Sequence, residues 1–214
     1  MKGPDWRAAF AALVLWAGLG LAHRGRLPAV LRGLGAKGLA YAGFLALATL
    51  LFVLAVQLTK VAHAVFIVAL APVFAALVSR LALGERLSRR MAWTIPLCLI
   101  GAAIIAAGSL EGQGGATLAG DLCALGAAVA LACGFTTARA ARTISMVPAV
   151  GVAYLGSALV LWPFAAPGEM QGMDWAWAAL LGGVFGPLGA SLMALGPRYS
   201  PSAEVALLLL LEAI

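Results

Sequence analysis

Charge is what this chain has least of. Asp, Glu, Lys and Arg supply 10% of its 214 residues, where an ordinary soluble domain carries about 25%. That is too little polar surface to solvate a globule of this size. Histidine is nearly missing, with only His23 and His63, far apart in sequence. The three cysteines, Cys98, Cys123 and Cys133, sit in or beside apolar runs. Their odd number and irregular spacing exclude a disulfide framework and a cysteine metal site, and they read as small packing residues. No loop pairs a nucleophile with a base or two acids for a metal. The "GQGG" at 112–115 lacks the strand, helix and lysine of a phosphate loop. These absences predict no metal, no cofactor and no enzyme.

Apolar residues fill the space. They make up 64% of the chain, with a mean hydropathy of +1.04, and the class is an integral membrane protein. The net charge of +6 would suggest nucleic acid in a soluble protein. Here it reads as the basic loops that orient a membrane protein, so no nucleic-acid partner is predicted. Charges punctuate six uncharged stretches of 17 to 26 residues: 38–59, 61–79, 91–110, 122–138, 143–168 and 175–197. A membrane-crossing helix needs about 20 apolar residues, within a range of about 17–25. A shorter run at 8–22 precedes them, and 201–214 begins another. The run at 8–22 has a signal peptide as its alternative. Pro4 and Asp5 suit that poorly, and a transmembrane helix is the preferred reading. The sequence therefore predicts an all-α polytopic bundle of about seven full spans and a partial eighth.

Alternating the segments across the bilayer puts Lys2, Arg7 and Lys60 on one side and the other eleven basic residues opposite. The basic side is then cytoplasmic, and the membrane is the cell membrane. Glu111, Asp121, Glu169 and Asp174 fall outside. The N-terminus also falls outside, and the last run stops after 14 residues. Both features predict a chain truncated at both ends.

A faint internal repeat appears at a shift of 141 residues. Thr59 meets Ser200, Ala62 meets Ala203, His63 meets Glu204 and Leu70 meets Leu211. By the charge count the two copies enter from opposite faces. Inverted repeats with interrupted helices at their interface are characteristic of secondary transporters.

"AVQLTKVAHAVFIVALAPVFAALVSRLALGERLSRR" (55–90), with its mid-helix proline and closing Leu83-Gly84-Glu85-Arg86-Leu87, resembles the third-to-fourth-helix stretch of EamA-type members of the drug/metabolite transporter superfamily. "IPLCLIGAAIIAAG" resembles the fifth helix, "AGDLCALGAAVALACGFTTARAAR" the sixth, and "ALGPRYSPSAEVALLLLLEAI" the eighth-to-ninth junction. The resemblance covers nearly the whole chain. It implies two inverted five-helix repeats: 1–110, lacking the first helix, and 118–214, lacking the C-terminal end. It also implies alternating-access transport of small metabolites such as amino acids, often outward, with protons as a candidate coupling ion. The alternatives are a non-transporting membrane fragment and a membrane enzyme of lipid metabolism. Solute, coupling ion, direction and oligomeric state are not legible in the sequence.

Several residues are candidates for the substrate pathway. Pro72 denies the Val68 carbonyl its helical partner, and in lipid such a carbonyl must face protein or a wet cavity. The break is either a kink absorbed by packing or a pathway lining. Glu212 is a carboxylate for mid-depth, either carrying a proton or cationic group or pairing with a neighbouring helix. His63 and Glu204 open the two inverted helices, as gates or as solvated interfacial groups. Gln57, Thr59, Tyr154 and Ser191 are scattered polar groups that line a cavity or bond between helices. Trp16 and Trp162 are candidate cavity walls, while Trp175 and Trp177 suit an interfacial belt. Gly84, Glu85 and Arg86 form a structural motif: Gly84 ends a helix, and Glu85 pairs with an arginine or caps the next helix. Gly182 and Gly186 make a small-residue pair for close helix contact, and Gly101 and Gly108 make another.

Overall fold

The computed structural model describes residues 4–23, 27–84, 93, 96–97, 100, 104, 117–161, 172–200 and 204–206. Among them every regular element is helical, as a chain with no water to satisfy its backbone requires. Helix α1 spans Pro4–His23 and α2 spans Leu27–Leu58. Then come α3 (Val61–Val68) and α4 (Ala71–Leu83). Helix α5 runs Leu118–Ala140 and α6 runs Val147–Leu161. Helix α7 (Gly172–Leu180) continues through a π-helical segment, Leu181–Phe185, into α8 (Gly186–Tyr199). Among the described residues four spans are long and apolar enough to cross a membrane: Pro28–Leu58, Val61–Leu83, Leu118–Ala140 and Trp175–Tyr199; Ala9–Leu21 and Val147–Leu161 are shorter apolar helices. The predicted span at 91–110 lies mostly outside the described residues. Of it, Trp93, Leu97, Ile100 and Ile104 are helical and exposed.

Two elements differ from the sequence pattern. The basic stretch before Lys37, expected as a loop, is helix from Leu27 onward. Gly35 interrupts it at φ 56°, a conformation glycine reaches without steric cost. The run 61–83, expected as one helix with Pro72 near its middle, is two helices joined by a turn at Ala69–Leu70. Pro72 lacks the N–H that would carry the hydrogen-bond ladder across, so it sits in the first turn of α4 instead. Val73 N donates to the Leu70 carbonyl at 2.9 Å. Gly84 ends α4 at φ 69°, its N–H donating to the Arg80 carbonyl.

The bundle is organised around the antiparallel pair α2 and α5. Gly134 faces Tyr41 and Phe44, Gly126 faces Leu51, and Gly120 faces Thr59. Position falls on α2 as it rises on α5, so contact continues along the whole length of α5. Small residues on α5 permit this, since packing rather than water exclusion drives helix association in lipid. Helix α6 packs on α1, where Gly151 meets Leu15, Trp16 and Leu19. Helix α1 also touches the π-helical segment and the start of α8, with Val14 beside Gly183 and Ala11 beside Gly186. The break between α3 and α4 is covered by protein: Leu70, Ala71, Pro72 and Val73 are all buried, and Leu70 packs with Ala55 of α2 and Ala124 of α5.

Four of the basic residues gather at one end. Lys37 Nζ donates to the Ala140 carbonyl at 3.3 Å. Arg139 Nη1 donates to the Pro197 carbonyl at 3.2 Å, and Arg198 Nε to the Arg142 carbonyl at 2.9 Å. Lys37 and Arg139 thus meet the last turns of α5 and α8, where unpaired carbonyls and the helix dipole favour positive charge, and Arg198 bonds the turn that follows α5.

Candidate functional site

The two ends of the bundle are built differently. At the basic end a cavity of about 620 Å³ lies among the second half of α1, the start of α2 and the turn into α6. Val14, Gly18, Val30, Gly33, Ser145 and Pro148 are among its lining residues. Glycine at 18 and 33 leaves space where larger side chains would close it; no atom stands within 4 Å of an added Cβ at either position. Its walls are largely apolar.

At the opposite end the described residues close α5 against the α2–α3 turn. Thr117 caps α5 as a Ser/Thr N-cap does, its hydroxyl accepting from Gly120 N at 3.2 Å and donating to the Leu58 carbonyl. Asp121 follows in the first turn, where the helix dipole favours an anion. Its Oδ1 accepts from the Thr59 hydroxyl at 2.9 Å. His63 Nδ1 stands 3.9 Å from the same oxygen, an ion pair when the imidazole is protonated. Asp121 is 4% exposed and Thr59 6% exposed; among the described residues Asp121 is the one charged side chain that is buried. Gly120 lies flat on the α2–α3 turn, where an added Cβ would stand 2.7 Å from the Thr59 backbone nitrogen.

Between the ends the core is tight. A void of about 10 Å³ remains among Tyr41, Leu45, Leu131, Phe135 and Met193, roughly the volume of one water-sized probe.

The residues singled out in the sequence fall into separate places. Pro72 is buried and Val68 half-buried at the seam of α3 and α4 with α5. Half-buried His63 joins Asp121. Gln57 is exposed on α2, one turn before the closed end. Trp16 is half-buried, and its indole N–H donates to the Gly151 carbonyl at 3.1 Å. Tyr154, also half-buried, brings its hydroxyl 3.8 Å from where a Gly186 Cβ would stand. Gly182 is buried inside the π-helical segment, and Gly186 follows it. Trp175 stacks edge-on against Phe10, ring centroids 6.5 Å apart, while Trp177 is exposed. Glu204 is exposed, next to Val205, which packs against Ala75, Ala132 and Phe135. Trp162, Glu85, Arg86 and Glu212 lie outside the described residues.

Sequence reasoning placed Asp121 at the opening of the second repeat and Thr59 among scattered polar groups. It did not join them. The available signal was Thr117-x-x-Gly120-Asp121, a helix cap with a glycine beside an acid. No curated protein matches the chain, and no solved structure does. The family model that does match covers residues 6–107 and 118–214, nearly everything described above. An all-helical bundle of membrane-length spans with one helix broken at a proline fits that match, and the chain belongs to the EamA-like transporter family, membrane transporters of the drug/metabolite transporter superfamily.

Proposed function

We propose that this protein is a secondary transporter that exports small metabolites, amino acids among them, across the cytoplasmic membrane by alternating access. The basic end faces the cytoplasm, by the excess of Lys and Arg there. The observation that carries the reading is the asymmetry between the two ends. A cavity of about 620 Å³ lies at the basic end, within the range of about 300–1,000 Å³ of small-molecule sites. At the other end α5 and the α2–α3 turn close over the buried Asp121. That is the arrangement of a carrier loading from the inside. Pro72 and the turn at Ala69–Leu70 divide the span near mid-depth, and broken helices at that depth are where transporters hold solutes and flex. Protons are the proposed coupling ion, with His63 and Asp121 as the groups that pair at the closed end.

The test is counterflow of a radiolabelled amino-acid mixture into preloaded proteoliposomes containing the full chain. Uptake above that of empty vesicles, lost when the unlabelled load is omitted, supports the reading. Uptake equal to empty vesicles across amino acids, small amines and carboxylates overturns it.

A further inference from the structure

Alternating access needs a seal that forms and breaks. We propose that Thr59, Gly120 and Asp121 are that seal on the face opposite the basic end, and that α3 is the piece that moves. The inference rests on the transport reading above and names its gate.

Three independent features converge. Asp121 is an ionisable group at 4% exposure in a protein with little charge, and such groups are costly to bury unless held by partners. Two of its partners, the Thr59 hydroxyl at 2.9 Å and His63 at 3.9 Å, belong to the α2–α3 turn and to α3. The seam between that turn and α5 closes by backbone contact, because only glycine fits at 120. Finally, α3 is eight residues long and separated from α4 by the Ala69–Leu70 turn. Pro72 offers no N–H to weld the two, so α3 swings with few backbone hydrogen bonds to lose. Helix α3 meets its neighbours through Ala64 and Ile67, which pack with Ala55 of α2 and Ala124 of α5.

Outward movement of α3 with its leading turn breaks the Thr59–Asp121 hydrogen bond and exposes the carboxylate to water. The closed state is stabilised by that hydrogen bond and by packing, the open state by hydration of Asp121. Each state has its own compensation, as a two-state element requires. Cys123 reports on the change. It lies two residues after Asp121, half-buried, and packs against the same seam.

The experiment uses the full chain in proteoliposomes with Cys98→Ala and Cys133→Ala, leaving Cys123 as its sole thiol. A membrane-impermeant maleimide is applied from the face bearing Lys60. Thr59→Val keeps the shape and removes the hydroxyl; losing a hydrogen bond to a charged group should raise the Cys123 labelling rate about tenfold or more. Gly120→Ala adds a methyl group against the Thr59 backbone and should raise it by a comparable factor. Thr59→Ser keeps the hydroxyl and should label at the parent rate. Parent-rate labelling in both Thr59→Val and Gly120→Ala overturns the seal, as does a rise in Thr59→Ser equal to that in Thr59→Val. Amino-acid counterflow by the parent is read in the same vesicles. Its absence overturns the transport reading and the gate with it; counterflow with unchanged labelling overturns the gate alone.

Discussion

Glycines that look alike in the sequence have opposite roles in the fold, and substitution separates them. An added Cβ at Gly120 would stand 2.6 Å from the Thr59 side chain and 2.7 Å from its backbone, while Gly43 and Gly156 have open space around them. Gly120→Ala should lower the thermal midpoint in detergent. Gly43→Ala and Gly156→Ala, inside helices, should each raise stability by about 0.5–1 kcal/mol, the helical advantage of alanine over glycine. A fall in midpoint for the latter pair would show a packing role that their surroundings do not. Trp16→Phe removes the indole donor to the Gly151 carbonyl; an interhelical bond of this kind is worth about 0.6 kcal/mol, so thermal unfolding should shift only slightly. None of this was legible residue by residue. Asp121 reads in sequence as an ordinary first-turn acid behind a threonine cap, because its burial depends on Thr59, 62 residues away. His63 was legible as an ionisable group where ionisable groups are scarce, but its partner was not.

Helix breaks are local chemistry and were partly legible. Proline removes a backbone donor wherever it falls, so a discontinuity near Pro72 follows from the sequence, while its placement one turn earlier, at Ala69–Leu70, follows from how α3 and α4 pack on α5. Pro72→Ala restores the donor and should join α3 and α4 into one rod. The expected outcome is an unchanged or higher thermal midpoint with slower amino-acid counterflow; unchanged counterflow would mean that the break is not used in transport. Gly35 breaks α2 differently, by backbone angle at φ 56°, which no apolar pattern marks. Gly35→Ala should cost about 1–3 kcal/mol, the strain of a Cβ at φ 56° and ψ −167°, a backbone region essentially confined to glycine, read as a lowered thermal midpoint. The π-helical turn at Leu181–Phe185 escaped the sequence as well, since periodicity over five residues cannot distinguish it from α-helix.

Across the whole molecule the two ends carry different chemistry, and topology tests it directly. Ser145 and Lys60 are exposed, one at the basic end and one at the closed end. In a cysteine-free background, Ser145→Cys should label from the cytoplasm and Lys60→Cys from outside. Labelling of both from one face would overturn the orientation. The sequence by itself determined the class and the ends of the bundle. Apolar runs of bilayer length have nowhere else to go, and basic residues such as Arg139 and Arg198 stay at one face because lipid excludes them. Both are one-dimensional consequences of solvation, legible wherever a run starts and stops. Only the tertiary structure decided which helices touch. In lipid the apolar stripe that orients a soluble helix carries little information, because tails and neighbours are equally apolar. Gly120 against Thr59, and with it the burial of Asp121, was set by the close fit of small residues along α2 and α5.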